Sequence, residues 1–196
     1  LGRVLAQDDP RGDAYDLSYA YDALDRPTML SATNLGTIAQ TYDALGRRTS
    51  LVDPTGATSF SYDPLGRVTN IIAPTTGNIG YGYDAVGRRT RLIYPDQQVI
   101  DYAYTPGGQL ASVAANSATL ASYAYDAAGR LQTVTRANGA TTTYTYDGVN
   151  RLQDLHTSVE GTTRARFSYV TDRHGQRTQV TELTPAGAGA CRAGAA

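Results

Sequence analysis

Apolar and polar positions alternate along this chain in short runs, and turns of one kind cut the runs at regular intervals. An aromatic residue stands two positions ahead of a second Tyr in most runs: Tyr19 before Tyr21, Phe60 before Tyr62, Tyr81 before Tyr83, Tyr102 before Tyr104, Tyr123 before Tyr125, Tyr144 before Tyr146 and Phe167 before Tyr169. Residues i and i−2 share one face of a strand, so each run predicts a β-strand with an aromatic face. Gln40 and Thr41 interrupt that pair in one run. Beyond the turn the alternation resumes. Thr49, Thr69 and Thr90 lie two residues before Leu51, Ile71 and Leu92, and Val113, Val134, Leu155 and Val180 take the equivalent place. A second set of turn signals follows at Asn34-Leu35-Gly36, Asp53-Pro54-Thr55-Gly56, Pro95-Asp96, Asn138-Gly139 and Glu160-Gly161. Asn-Gly is a strong hairpin signal, and each unit reads as strand, turn, strand, turn.

The units repeat at a nearly fixed period. Tyr recurs at Tyr21, Tyr42, Tyr62, Tyr83, Tyr104, Tyr125, Tyr146 and Tyr169, in steps of 21, 20, 21, 21, 21, 21 and 23 residues. Persistent self-similarity of this kind marks a repeat architecture. The best copies are Tyr42-Asp43-Ala44-Leu45-Gly46-Arg47, Tyr62-Asp63-Pro64-Leu65-Gly66-Arg67, Tyr83-Asp84-Ala85-Val86-Gly87-Arg88 and Tyr125-Asp126-Ala127-Ala128-Gly129-Arg130. Tyr146-Asp147-Gly148-Val149-Asn150-Arg151 follows with Asn in place of Gly, and Leu1-Gly2-Arg3 reads as the tail of an earlier copy.

Each motif residue has a mechanical reading. The Asp side chain accepts a backbone N–H two residues on, Pro64 and Pro106 suit the second turn position, and Gly supplies the positive φ that closes the hairpin with a one-residue bulge. Asn150 and Asp25 stand where Gly is missing, and these residue types tolerate positive φ best. Thr105-Pro106-Gly107-Gly108 keeps the turn without its Asp. Asp172-Arg173-His174-Gly175 keeps it after a two-residue insertion. The Arg after the Gly is expected to bridge to the Asp or to a carbonyl of the adjacent hairpin.

These patterns predict an all-β array of tandem antiparallel hairpins over residues 1–182, about eight units and sixteen strands. An Ala/Gly-rich low-complexity tail follows over 183–196. At ~4.8 Å per strand such a sheet would extend on the order of 75 Å. So wide a sheet must twist and curl, or close.

Composition narrows the function classes. There are 15 Tyr against 2 Phe and no Trp, and a Tyr-rich interior must satisfy its hydroxyls or leave them wet. All 17 basic residues are Arg, and of the 18 acidic residues only Glu160 and Glu182 are Glu, so charge is tied to particular positions. The net charge of −1 carries no electrostatic footprint for nucleic acid. No stretch approaches a membrane span. The single Cys191 excludes an internal disulfide.

No enzyme is expected. The motif Asp recurs in similar settings, whereas an active site needs one unusual setting. His156 and His174 stand without a metal or triad constellation, and no cofactor-binding motif occurs. The acidic stretch Asp8–Asp16 lacks the spacing of a calcium loop and reads as a loop between hairpins. Arg11-Gly12-Asp13 matches an adhesion tripeptide that this composition produces by accident. The Tyr stripe has two readings, repeat-on-repeat packing and stacking on sugars, with packing preferred.

Tyr-Asp-x-x-Gly-Arg at this period resembles the YD repeats of the RHS family. That family includes bacterial RHS polymorphic toxins, insecticidal toxin-complex C components, wall-associated proteins and animal teneurins. The resemblance implies that the repeats wind into a β-strip forming a hollow shell. In the toxins the shell encloses a cytotoxic C-terminal polypeptide; in teneurins it supports adhesion, and the repeats are linked to carbohydrate binding. It thus implies neighbouring YD repeats, an enclosed polypeptide and glycans as partners, and a secreted or cell-surface place within a larger bacterial protein. The chain has no Pro-x-x-x-x-Gly-Arg-Asp core segment, begins mid-motif and has few units, so the expectation is one arc of a shell wall.

Overall fold

The computed structural model describes residues 4–7, 16–32 and 36–184. Seventeen β-strands and no helix lie among the described residues. The acidic stretch up to residue 15, the Arg-Gly-Asp tripeptide, Asn34-Leu35, the Leu1–Arg3 remnant and the tail from residue 185 with Cys191 fall outside them, whereas Leu183, expected to begin the tail, ends the last strand.

The chain forms two compact units, Leu1–Val99 and Ile100–Ala196. The first holds β1 (Ala6–Gln7), β2 (Leu17–Tyr21), β3 (Pro27–Ala32), β4 (Gly36–Tyr42), β5 (Arg48–Asp53), β6 (Gly56–Tyr62), β7 (Val68–Ala73), β8 (Gly77–Tyr83) and β9 (Arg89–Ile93). The second holds β10 (Val99–Tyr104), β11 (Leu110–Ala115), β12 (Ala118–Tyr125), β13 (Leu131–Arg136), β14 (Ala140–Tyr146), β15 (Leu152–Val159), β16 (Thr162–Thr171) and β17 (Arg177–Leu183). Within each unit every strand pairs antiparallel with the next, as β4 does with β5 and β14 with β15.

The two rims of each unit carry different turns. On the motif rim the register slips by one residue just before the Tyr, so that Tyr42 faces Arg48 and Tyr62 faces Val68. This is the bulge a positive-φ residue makes: Gly46 has φ +81°, and the substitutes Asp25 and Asn150 have +62° and +68°. On the other rim the turns are tighter, with Asp53 opposite Gly56 and Ala115 opposite Ala118. Asn116-Ser117, both at positive φ, is a turn the sequence reading passed over.

The strand faces are unequal. The i−2 aromatic pairs across the strand with the aliphatic residue after the turn: Phe60 with Ile71, Tyr81 with Leu92, Tyr123 with Val134 and Tyr144 with Leu155. Ser50, Ser59, Ser61, Asn70 and Gly80 lie on the opposite face, with the exposed Val52 and Ile72 among them. Only Ala32, Gly80, Val134, Ala140 and Thr142 are buried among the described residues. A single layer of sheet leaves no dry interior, so cross-strand pairs and repeat-to-repeat contacts hold it together.

The last copy corrects the reading of its insertion. Register places Thr171, opposite Arg177, in the motif-Tyr slot, while Tyr169 faces Val180 as the i−2 aromatics do. The insertion is therefore four residues, and it lengthens the β15–β16 hairpin to strands of 8 and 10 residues. Strand faces alternate with period 2, so only an even addition to a hairpin arm preserves them.

Candidate functional site

The feature that recurs in this molecule is a staple between consecutive hairpins, built from the motif residues. In the copy at Tyr42, Asp43 Oδ1 accepts the N–H groups of Leu45 and Arg47, both at 2.9 Å. Asp43 Oδ2 takes Arg47 Nε at 2.7 Å. The turn closes through Gly46 N donating to Asp43 O at 3.0 Å. One carboxylate thus organises the whole turn and aims the Arg away from its own hairpin.

That Arg then reaches the next copy. Arg47 Nη1 donates to Asp63 O at 3.2 Å, and its guanidinium carbon sits 4.7 Å from the centre of the Tyr62 ring. Tyr62 returns the contact, its hydroxyl donating to Arg48 O at 2.7 Å. The three contacts form a closed loop across two hairpins, combining a charge-assisted hydrogen bond with a cation–π face. Arg26 makes the same loop with Asp43 O and Tyr42, whose hydroxyl reaches Pro27 O. Arg67 makes it with Asp84 O and Tyr83, and Arg130 with Asp147 O and Tyr146. Arg130 also reaches Asn150 Oδ1 at 2.8 Å, so Asn150 supplies an acceptor as well as the positive φ.

Two copies show what the staple needs. Gln109 stands in an Arg position, donating from Nε2 to Gly129 O at 2.7 Å, with Thr105 in the Asp position. Tyr125 still bonds to Leu110 O there, at 2.9 Å. Arg151 keeps its Asp147 pair and reaches Asp172 O at 2.7 Å, although Thr171 fills the Tyr slot. Arg88 pairs with Asp84 at 2.6 Å and Asp126 with Arg130 at 2.6 Å.

The electrostatics follow the geometry. For Asp43 and Asp63, partial loss of water raises the pKa; the backbone N–H, Nε and charge of the partner Arg outweigh it and leave the carboxyl below its ordinary value. For Asp126 and Asp147 the backbone N–H of the partner Arg is the largest influence, and the direction is again down. These shifts stabilise turns and recur from copy to copy.

The opposite rim of the first unit has a lock the sequence reading missed. A β-carbon on Gly36 would lie 2.7 Å from Pro54 Cγ, one on Gly56 2.7 Å from Pro74 Cγ, and one on Gly77 3.0 Å from Pro95 Cβ. Each Pro follows its Gly by eighteen residues, a signal a search for Gly-to-Pro spacing would have found. Gly139 and Gly161 in the second unit have nothing within 4 Å. Asp53 caps its turn through Thr55 N at 2.8 Å. Asp154, also unremarked in the sequence, binds Arg166 Nε at 2.8 Å and Ser168 Oγ at 2.7 Å. His156 contacts Thr163 Oγ1 at 2.9 Å, and no group of potential metal ligands lies among the described residues. No helix among them is long and apolar enough to cross a membrane.

Comparison with known proteins agrees with this geometry. The family described as Teneurin YD-shell matches residues 8–181. No curated protein matches in sequence. Among solved structures, TcdB2-TccC3-Cdc42 is similar at TM-score 0.66 and 17% identity, over 90% of this chain and 12% of that one. TcdB2-TccC3-TEV is similar at TM-score 0.60 and 16% identity, over 92% of this chain and 12% of that one. The Tc holotoxin pore of Photorhabdus luminescens is similar at TM-score 0.51 and 15% identity, over 87% of this chain and 12% of that one. At this identity the likeness speaks to the fold, and the chain spans about an eighth of the length of these relatives. With a family match over nearly all of its length and a structural staple in the motif positions, the chain belongs to the teneurin YD-shell family.

Proposed function

We propose that this chain is a length of shell wall, a scaffold and not a catalyst, in a parent protein that encloses or presents a toxin or effector polypeptide. The observation that carries this reading is the staple itself. Motif residues are engaged in joining one hairpin to the next within each unit, as in Arg47 to Asp63 O and Tyr62 to Arg48 O, and Arg130 to Asp147 O. The polar groups of the motif are thus spent on continuity of the strip, which is what a wall requires. The same engagement of the Tyr hydroxyls and of one ring face gives a sugar-stacking role no support. Action outside the producing cell, or at its surface, accords with a shell that delivers or displays its contents.

The test is made on the parent protein. Its coding sequence downstream of this segment should hold a shell-closing core segment and a variable C-terminal domain. Expressed whole, the parent should protect that domain from added protease until the shell is opened by denaturant. A C-terminal domain digested at the same rate in the intact parent as alone would refute enclosure.

A further inference from the structure

One stretch of the second unit, β10 to β12, lacks the devices that hold its neighbours. Its motif turn has no carboxylate. In the copy at Tyr62, Asp63 takes three donors, the N–H groups of Leu65 and Arg67 at 2.9 Å and Arg67 Nε at 2.6 Å. Thr105 offers one hydroxyl oxygen instead, which accepts the N–H of Gln109 at 3.2 Å. Pro106 and the bond from Gly108 N to Thr105 O at 2.9 Å keep the shape of the turn. The charge-assisted bonds that stiffen the other copies are missing.

The turn on the opposite rim is strained where its counterparts are relaxed. Asn116 and Ser117 hold φ at +47° and +71°, whereas the first unit places Gly36, Gly56 and Gly77 at positive φ. A residue with a β-carbon takes that region at a cost. Beside this turn the ladder slips between Val113 and Ala114, while β5–β6, β7–β8 and β13–β14 keep register. No Pro stands between Pro106 and Pro185, so the Gly–Pro lock of the first unit has no equivalent.

Side-chain contact is also thin. Ala fills six of the fourteen positions of β11 and β12. Val113 faces Ala121, where Ile71 faces Ile79 and Leu30 faces Ile38. Ala is a poor strand former and adds little across the ladder. The next hairpin is the opposite case. Val134, Ala140 and Thr142 are buried there, and the Thr142 hydroxyl meets both Arg136 Nη1 at 2.9 Å and Thr157 Oγ1 at 3.0 Å.

We infer that β11 and β12 are a built-in opening hairpin, which parts from β10 and β13 while β14 with β15, and β6 with β7, stay paired. Regions with few buried apolar contacts open at the low end of the free-energy range of a fold. Opening bares rows of N–H and C=O groups on β10 and β13, the groups through which a strand recruits another. In a shell wall this is the place where the strip gives way, a consequence that rests on the scaffold reading; the opening itself does not.

Native-state hydrogen exchange of the whole chain, read by peptide mass and corrected for intrinsic rates, tests this. Amides of β11 and β12 should exchange at least about tenfold faster than those of β6, β7, β14 and β15. Thr105→Asp/Gln109→Arg should slow β11 and β12 at least about threefold and leave β6 and β7 unchanged. Ser117→Gly should slow them from the other rim, and it serves alone if circular dichroism shows the double variant unfolded. Equal protection of all these strands overturns the inference. So does β11 and β12 exchange that neither variant slows, or a slowing spread evenly over every strand, since the opening would then be global. These outcomes are read on this chain alone and leave enclosure to the protease test on the parent.

Discussion

Pro54 fills the space that a side chain on Gly36 would need, its Cγ 2.7 Å from where that β-carbon would stand. Gly36 opens β4 and Pro54 lies beyond β5, so the contact joins two turns of one rim across a full hairpin. Gly56 with Pro74 and Gly77 with Pro95 continue it. The first unit is thus locked on both rims, by Arg and Tyr on one and by Gly and Pro on the other.

Gly56→Ala meets both a positive φ of 130° and the Pro74 ring. It should cost about 2–4 kcal/mol. Gly139→Ala, with φ +78° and open space, should cost only about 1 kcal/mol. Urea unfolding of both, and of Gly56→Ala combined with Pro74→Ala, isolates the ring contact. The double variant should recover part of the loss, and equal costs for the two glycines would argue against the lock.

Arg67→Lys keeps the charge but not the staple. An ammonium cannot pair with Asp63 at 2.6 Å, donate to Asp84 O at 2.9 Å and cover the Tyr83 ring at 4.6 Å together. Thermal unfolding should place Arg67→Lys near Arg67→Ala, about 2–4 °C below the parent. Tyr62→Phe removes only the hydrogen bond to Arg48 O and should cost about 0.5 kcal/mol.

The copy at Thr105 can be completed. Tyr125 is in place, and Gln109 already reaches toward the next turn at Gly129 O. Thr105→Asp with Gln109→Arg should install the missing pair and stabilise the chain by about 0.5–1 kcal/mol. Gln109→Arg alone should bring less, since its carboxylate is absent. A higher urea midpoint for the pair than for either single change is the expected result.

Acid should loosen the array through the turn carboxylates. Despite partial loss of water, Asp22, Asp43, Asp63, Asp84, Asp126 and Asp147 are all held below the ordinary carboxylate pKa in the folded state by the N–H groups, guanidinium and charge of their turns. A depressed folded pKa gives stability that is complete above the unfolded value and lost as pH falls through the folded one. The urea midpoint should therefore hold level from about pH 7 to 5 and fall below about pH 4. Asp63→Asn should lower the midpoint at neutral pH and flatten the acid decline. An unchanged decline in that variant would show that other groups drive it.

The amino-acid sequence determined everything confined to a few neighbouring residues. Asp43 caps its turn, Gly46 and Asn150 take positive φ, and the aromatic and aliphatic positions fall on one strand face. These are backbone requirements satisfied within about four residues, and residue type alone announces them. The tertiary structure decided which copy each side chain serves. Arg47 acts on Asp63, sixteen residues on, Tyr62 acts back on Arg48, and Pro54 shields Gly36. Those partners lie nearly a repeat apart and meet only once bulge and register are set. The same dependence on register moved Tyr169 out of the motif slot and put Thr171 there, because strand faces count in twos and sequence spacing counts in ones.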